Sequence, residues 1–218
     1  MRENQTLSKE NYSVEEIKLE SNIKKELVFM FGILLISAII FGAPFYLIWQ
    51  EVVHDFINYM LAHREGIFAL PLFERIRAIM FQGAVSLIIF GVITLVHELV
   101  HGIFYGIFAT NKFKSIKMGF LIKSFTAYCI CNEKLKINHS RVGLTAPLVI
   151  MGIMPIIISI FIGNAILFLL GFFTIIMSCG DMQIFLKFSK LSNDSWVYEE
   201  INGNKELLMS IYTPTKSK

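Results

Sequence analysis

Three stretches of this chain, 27–50, 78–96 and 142–180, contain no charged residue at all. A bilayer's hydrocarbon core is about 30 Å thick and takes roughly 20 apolar helical residues to cross. Runs of this length favour one compact membrane domain over one or two soluble ones. Composition agrees. The 218 residues are 55% hydrophobic and only 17% charged, whereas a soluble domain is about 25% charged and roughly 45–50% apolar. The same figures exclude disorder, and 14 Gly with 5 Pro exclude collagen-like and mucin-like chains. A membrane β-barrel would need ten-residue segments of alternating polarity, and there are none.

The stretch 142–180 is too long for one crossing and is punctuated by Gly163-Asn164. Dividing it there gives four predicted spans, at 27–50, 78–96, 144–162 and 165–185. The first lacks the short basic start and cleavage site of a secretory signal and reads as a retained anchor. Pro147 and Pro155 fall in the third and predict a kink there. The expectation is an all-α polytopic membrane protein, with 1–26 as an N-terminal segment, 27–190 as the membrane domain and 191–218 as a C-terminal tail.

Lysine and arginine set the orientation. Arg2, Lys9, Lys18, Lys24 and Lys25 precede the first span. Lys112, Lys114, Lys117, Lys123, Lys134, Lys136 and Arg141 lie between the second and third. Lys187, Lys190, Lys205, Lys216 and Lys218 lie at or beyond the end of the fourth. Only Arg64, Arg75 and Arg77 fall on the opposite side. The positive-inside rule therefore puts both termini and the 110–141 segment in the cytosol of a cell-membrane protein. The outward segment 51–77 has room for short interfacial helices. Near the N-terminus, Ser13-Val14-Glu15-Glu16 is a capping-box pattern that predicts a helix start. In the 110–141 segment, 114–120 and 124–131 are short β-branched and aromatic runs. They predict a small β-hairpin.

Within the second apolar region stands His97-Glu98-Leu99-Val100-His101. Residues four apart on a helix project from one face, so both imidazoles can bind one zinc ion. Glu98 stays close to the open side of such a metal without binding it. It can take a proton from the attacking water and later give it to a leaving amine. Zinc lowers the pKa of its water to about 7, which supplies hydroxide at neutral pH. Ionisable groups in an apolar span cost about 2.5–3.5 kcal/mol each and so face a cavity, a partner or an ion.

A catalytic zinc normally takes a third protein ligand. A metzincin would have Gly at 104 and His at 107, where this chain has Phe104 and Ile107. Asp181, Glu133 and His139 are the candidates. The second and fourth spans run in the same direction, and His101 and Asp181 then lie at similar depth, roughly 10 Å inside the boundary. Asp181 is the choice, and Gly180 beside it permits close helix approach. Cys129 and Cys131 would face the same way in a strand and read as paired structural thiols. A second metal site there needs more ligands than the segment offers. Tyr105 and Tyr128 could donate to an oxyanion but read first as packing aromatics. His54 and His63 fall on the outward segment, away from the zinc.

His97-Glu98-Leu99-Val100-His101-Gly102, the strand region ending Ala127-Tyr128-Cys129-Ile130-Cys131, Ala146-Pro147 and Ser178-Cys179-Gly180-Asp181 together resemble a family of small bacterial membrane proteins classed as zincin peptidases. The resemblance runs over about 75–190. That family commonly has two glycines before the aspartate, where this chain has Cys179 and Gly180. The wider likeness is to site-2 proteases. It implies proteolysis in or near the membrane, with His97, His101 and Asp181 as zinc ligands and Glu98 as general base. The substrate would be a membrane protein or peptide. An exposed edge of the hairpin could pair with an extended substrate segment.

Two other functions are open to the same residues. Intramembrane His and acid clusters also mark ion paths, so a metal-ion transporter is one. A non-catalytic zinc-binding membrane interaction protein is the other, and a fourth protein ligand would mark it. A net charge of +3 argues against a nucleic-acid partner.

Overall fold

The computed structural model describes residues 12–18, 23–121, 126–201 and 207–215. Of the basic residues that set the predicted orientation, Arg2, Lys9, Lys123, Lys205, Lys216 and Lys218 lie outside the described residues. The chain is mostly helical, with two small sheets. Three helical stretches are long and apolar enough to cross a membrane, Glu26–Ile48, Leu72–Phe108 and Ile137–Ile162, and a bent helix pair gives up to a fourth. Two compact units result. One comprises 27–97 and 148–179, the other 1–26, 98–147 and 180–218.

The first unit is helical. α1 (Ile23–Ser37) runs through a π-helical turn into α2 (Ala43–Ile48). α3 (Gln50–Ala69) follows, one continuous helix of 20 residues where short ones were expected. α4 (Leu72–Phe108) has 37 residues, about 55 Å at 1.5 Å per residue, and so outruns a bilayer core. The 78–96 span and the histidine motif are therefore parts of one rod. After π-helical turns at Leu148–Ile153 come α6 (Met154–Ile162) and α7 (Ala165–Met177). The preceding helix, α5 (Ile137–Pro147), ends where those turns begin. Proline has no N–H to donate, and the π-helical turns lie between Pro147 and Pro155, where the helix ladder is interrupted. Gly163 closes α6 in the left-handed region, at φ 69°. A Cβ there would sit 2.7 Å from the Trp49 ring, so only glycine fits on both counts. Asn164 then caps α7, its side chain accepting from the Leu167 N–H at 2.9 Å.

The expected fourth span is broken. α7 stops at Met177, and α8 (Cys179–Phe188) is a separate helix. The hydroxyls of Thr174 and Ser178 bond back to the Leu170 and Thr174 carbonyls, competition with the helix ladder that favours a bend. Asp181 consequently lies in the first turn of a new helix, where a carboxylate is favoured by the helix dipole.

The second unit holds both sheets. β2 (Ile116–Leu121) and β3 (Thr126–Cys131) pair antiparallel, with Ile116 opposite Cys131. The other sheet is antiparallel with order β1-β6-β5-β4, from β1 (Tyr12–Lys18), β4 (Leu135–Lys136), β5 (Trp196–Ile201) and β6 (Leu207–Pro214). Ser13–Glu16 is therefore strand and not a helix start. Its residues pair with Thr213 through Ser210, and this pairing outweighs a capping preference worth about 1 kcal/mol. The core of this unit joins Val197, Met209 and Ile211 of the sheet to Tyr105, Ala109, Ile137, Leu144 and Phe188 of the helices.

Candidate metal centre

From residue 97 onward α4 buries one face, since His97, His101, Tyr105 and Ala109 recur every four residues and all are buried. Leu99, Ile103 and Ile107 on the other side are exposed. His97 and His101 are each only 4% exposed. One ring nitrogen of His97, one of His101 and one Asp181 oxygen all lie within 4.8 Å of one another. Among the described residues, no other group of three or more His, Cys, Asp or Glu does this.

The contacts of His101 define its working edge. Nδ1 donates to the Gly143 carbonyl on α5 at 2.9 Å, which leaves Nε2 as the lone-pair nitrogen of the neutral ring. Nε2 lies 3.3 Å from Asp181 Oδ2. That spacing suits two ligands of one zinc, because bonds of about 2.0 Å at tetrahedral angles put neighbouring donors about 3.3 Å apart. Two imidazoles and one carboxylate are the donor set of a zinc site with an open fourth position. The residues present therefore fit the ion. Glu98, next to His97 on the same helix, is half-buried.

The other sequence candidates have different work. Glu133 accepts from the Thr110 and Asn111 backbone N–H groups, the Asn111 side chain and the Ser115 hydroxyl. It ties the turn after α4 to the end of β3. Burial alone would raise its pKa, but these donors outweigh burial and hold the carboxyl below its ordinary value. His139 stacks on Phe108 with ring centroids 4.3 Å apart. Neither joins the group of three. Cys129 and Cys131 are buried free thiols. Burial, with the charge of Glu98 for Cys129 and an opposing hydrogen bond for Cys131, pushes them up to about 12 and 11. They are thiols at neutral pH, and neither joins a group of three or more ligand residues among the described residues. Tyr105 packs its ring on Gly143, where a Cβ would lie 2.1 Å from it.

Residues 90–196 match the sequence model of a family described as putative zincin peptidase. Over that segment the chain is similar to this family. The zincin segment contains His97, Glu98, His101 and Asp181, and the family description implies zinc as the ion. Comparisons with curated proteins and with solved structures returned no match.

Sequence reasoning missed three contributors. Gly143 acts through its carbonyl, which no motif advertises. Arg141, one of the orientation charges, gathers the Phe188 and Leu191 carbonyls at 2.6 and 2.9 Å and so closes the C-terminus of α8. Glu199 is a carboxylate only 6% exposed, in a segment expected to be a tail. Val197 and Glu199 alternate as buried residues along β5, but the sequence Trp196-Val197-Tyr198-Glu199-Glu200-Ile201 carries no pattern that marks the glutamate as buried.

Proposed function

We propose that this chain is a zinc-dependent, membrane-embedded endopeptidase. His97, His101 and Asp181 are its ligands and Glu98 its general base. The observation that carries the reading is the meeting of three ligand atoms from α4 and α8 with the motif glutamate on the adjoining position of α4. Zinc held there would supply Lewis-acid chemistry, acidifying water and polarising the scissile carbonyl. Glu98 accepts the proton that the attacking water gives up and returns it to the leaving amine. Gly143 keeps His101 in the tautomer that presents Nε2.

The substrates are membrane or membrane-associated proteins cut near the cytosolic face, as the likeness to site-2 proteases suggests. Four crossings are supported by the sheet. β1 precedes the first candidate span, β4 separates the second and third, and β5 and β6 follow the last, yet they share one set of hydrogen bonds. Strands so joined on one side of a bilayer favour a reading in which α7 and α8 together complete a crossing. The basic residues favour the cytosol for that side. Among the described residues β2 pairs with β3 alone, and Lys117, Met118 and Gly119 are exposed, which suits pairing with an extended substrate. Proline at Lys117 or Gly119 should then abolish cleavage and leave zinc binding intact.

Glu98→Gln tests the main reading. The variant should keep one zinc per chain and lose cleavage of a membrane substrate by at least about 100-fold. Undiminished cleavage would remove Glu98 from the mechanism.

A further inference from the structure

Glu199 lies beyond the segment that matches the zincin family and has no place in the reaction described above. Its position on β5 calls for an apolar side chain. Val197 shares its face, Met209 stands opposite it on β6, and both are at most 3% exposed. A buried carboxylate at such a place is costly unless it is bonded and has something to act on. It is bonded, because it accepts a hydrogen bond from the Cys131 backbone N–H of β3. β3 in turn lies against α4 beside the motif, with Cys129 Sγ only 3.1 Å from where a Cβ on Gly102 would be. Glu199 thus ties the strand that flanks His101 to the four-stranded sheet. It is also close enough for the charge of Asp181 to act on it.

We infer that Glu199 is a positioning residue for the metal centre, fixing β3 against α4 and adding a second buried negative charge behind His101 and Asp181 that tightens the hold on a divalent cation. The inference rests on the zinc-site reading above. Burial pushes the Glu199 carboxyl up to about 7, the Cys131 N–H opposing and Asp181 adding to the rise. Its neighbours Cys129 and Cys131 are neutral groups whose own ionisation it opposes. At pH 8 the carboxylate form prevails, and a dication nearby favours it further.

The test is zinc affinity of the full-length protein in detergent at pH 8, by competition with a chromophoric chelator. Glu199→Gln still offers an oxygen to the Cys131 N–H but removes the charge. It should weaken zinc binding about tenfold, the lower end of what outer-sphere changes cost. Glu200→Gln, at the exposed neighbour, should leave affinity unchanged. Wild-type affinity in Glu199→Gln would overturn the inference. Should that variant fail to fold, Glu199→Asp keeps the charge and shortens the reach. The shorter side chain gives up the Cys131 N–H, so a loss of about threefold or more supports the positioning role, and affinity closer to wild type than that overturns it. His101→Ala, run alongside, separates the two readings. If it binds zinc as wild type does, the metal site itself is wrong. If it loses zinc while Glu199→Gln does not, only the inference about Glu199 fails.

Discussion

His101 Nδ1 donates to the carbonyl oxygen of Gly143 at 2.9 Å, and the ring of Tyr105, one turn further along α4, lies on the same glycine. The backbone of α5 can come this close only because residue 143 has no Cβ. Gly143→Ala would place a methyl 2.1 Å from the Tyr105 ring and force α5 or the ring to move. Overpacking of this kind costs about 1–3 kcal/mol. The carbonyl would move with the backbone, so zinc affinity should fall as well. Adding Tyr105→Leu should recover part of the stability, measured as a double-mutant cycle by chemical unfolding. Strict additivity would mean that the clash is relieved elsewhere.

The three-ligand geometry makes a selective prediction. Asp181→Asn removes the anionic donor next to His101 Nε2. It should weaken zinc binding by more than about 100-fold, beyond the range of second-shell changes. His139→Ala and Cys131→Ser remove groups that stack on Phe108 or lie protonated in the core. Both should retain zinc at one ion per chain. Elemental analysis of the three purified variants checks this, and zinc loss in His139→Ala would redraw the ligand set.

Glu133 gives a pH dependence outside the membrane segments. Its folded-state pKa lies below the ordinary value of 4.5, because donors from Thr110, Asn111 and Ser115 outweigh the cost of burial. A depressed carboxyl adds stability that is fully present above the unfolded pKa. That stability is lost as pH falls through the folded one. Glu133→Gln should therefore be less stable than wild type at pH 7, by about 1 kcal/mol once solvent screening is allowed for. The gap should close as pH falls below the ordinary carboxylate range. Thermal unfolding of both proteins from pH 7 to pH 3 measures it, and a gap that widens at low pH contradicts the assignment.

How much of this could be read from the chain follows the range of the forces involved. The motif at 97–101 works by helical spacing alone, so it was legible, and so was the break at Gly163-Asn164. The hairpin was legible as β2 and β3 because its two strands are neighbours in sequence. Asp181 came from topology, but the break at Ser178 that puts it at a helix start did not. That break depends on side-chain hydroxyls bonding back to the helix. The four-stranded sheet was invisible for another reason. β1 and β6 are paired from opposite ends of the chain, and pairing at that separation leaves no local pattern strong enough to compete with a capping box. Glu199 was hidden in the same way, since its burial exists only once β5 is in that sheet.

Arg141 yields the last prediction. Its guanidinium bonds the Phe188 carbonyl through two nitrogens, the Leu191 carbonyl, and the side-chain oxygens of Asn138 and Asn193. It therefore clamps the C-terminal end of the helix whose first turn carries Asp181. Arg141→Ala leaves the carbonyl of the buried Phe188 without this donor, at a cost of about 2–3 kcal/mol. A loosened α8 holds Asp181 less firmly, so zinc affinity should fall about tenfold even though Arg141 touches no ligand. Arg141→Lys should recover less than half of either loss, because an ammonium cannot reproduce a planar fork of five donors. Unfolding and chelator competition on the two variants measure both effects. Stability lost with zinc affinity intact would mean that Asp181 is held by the first turn of α8 alone.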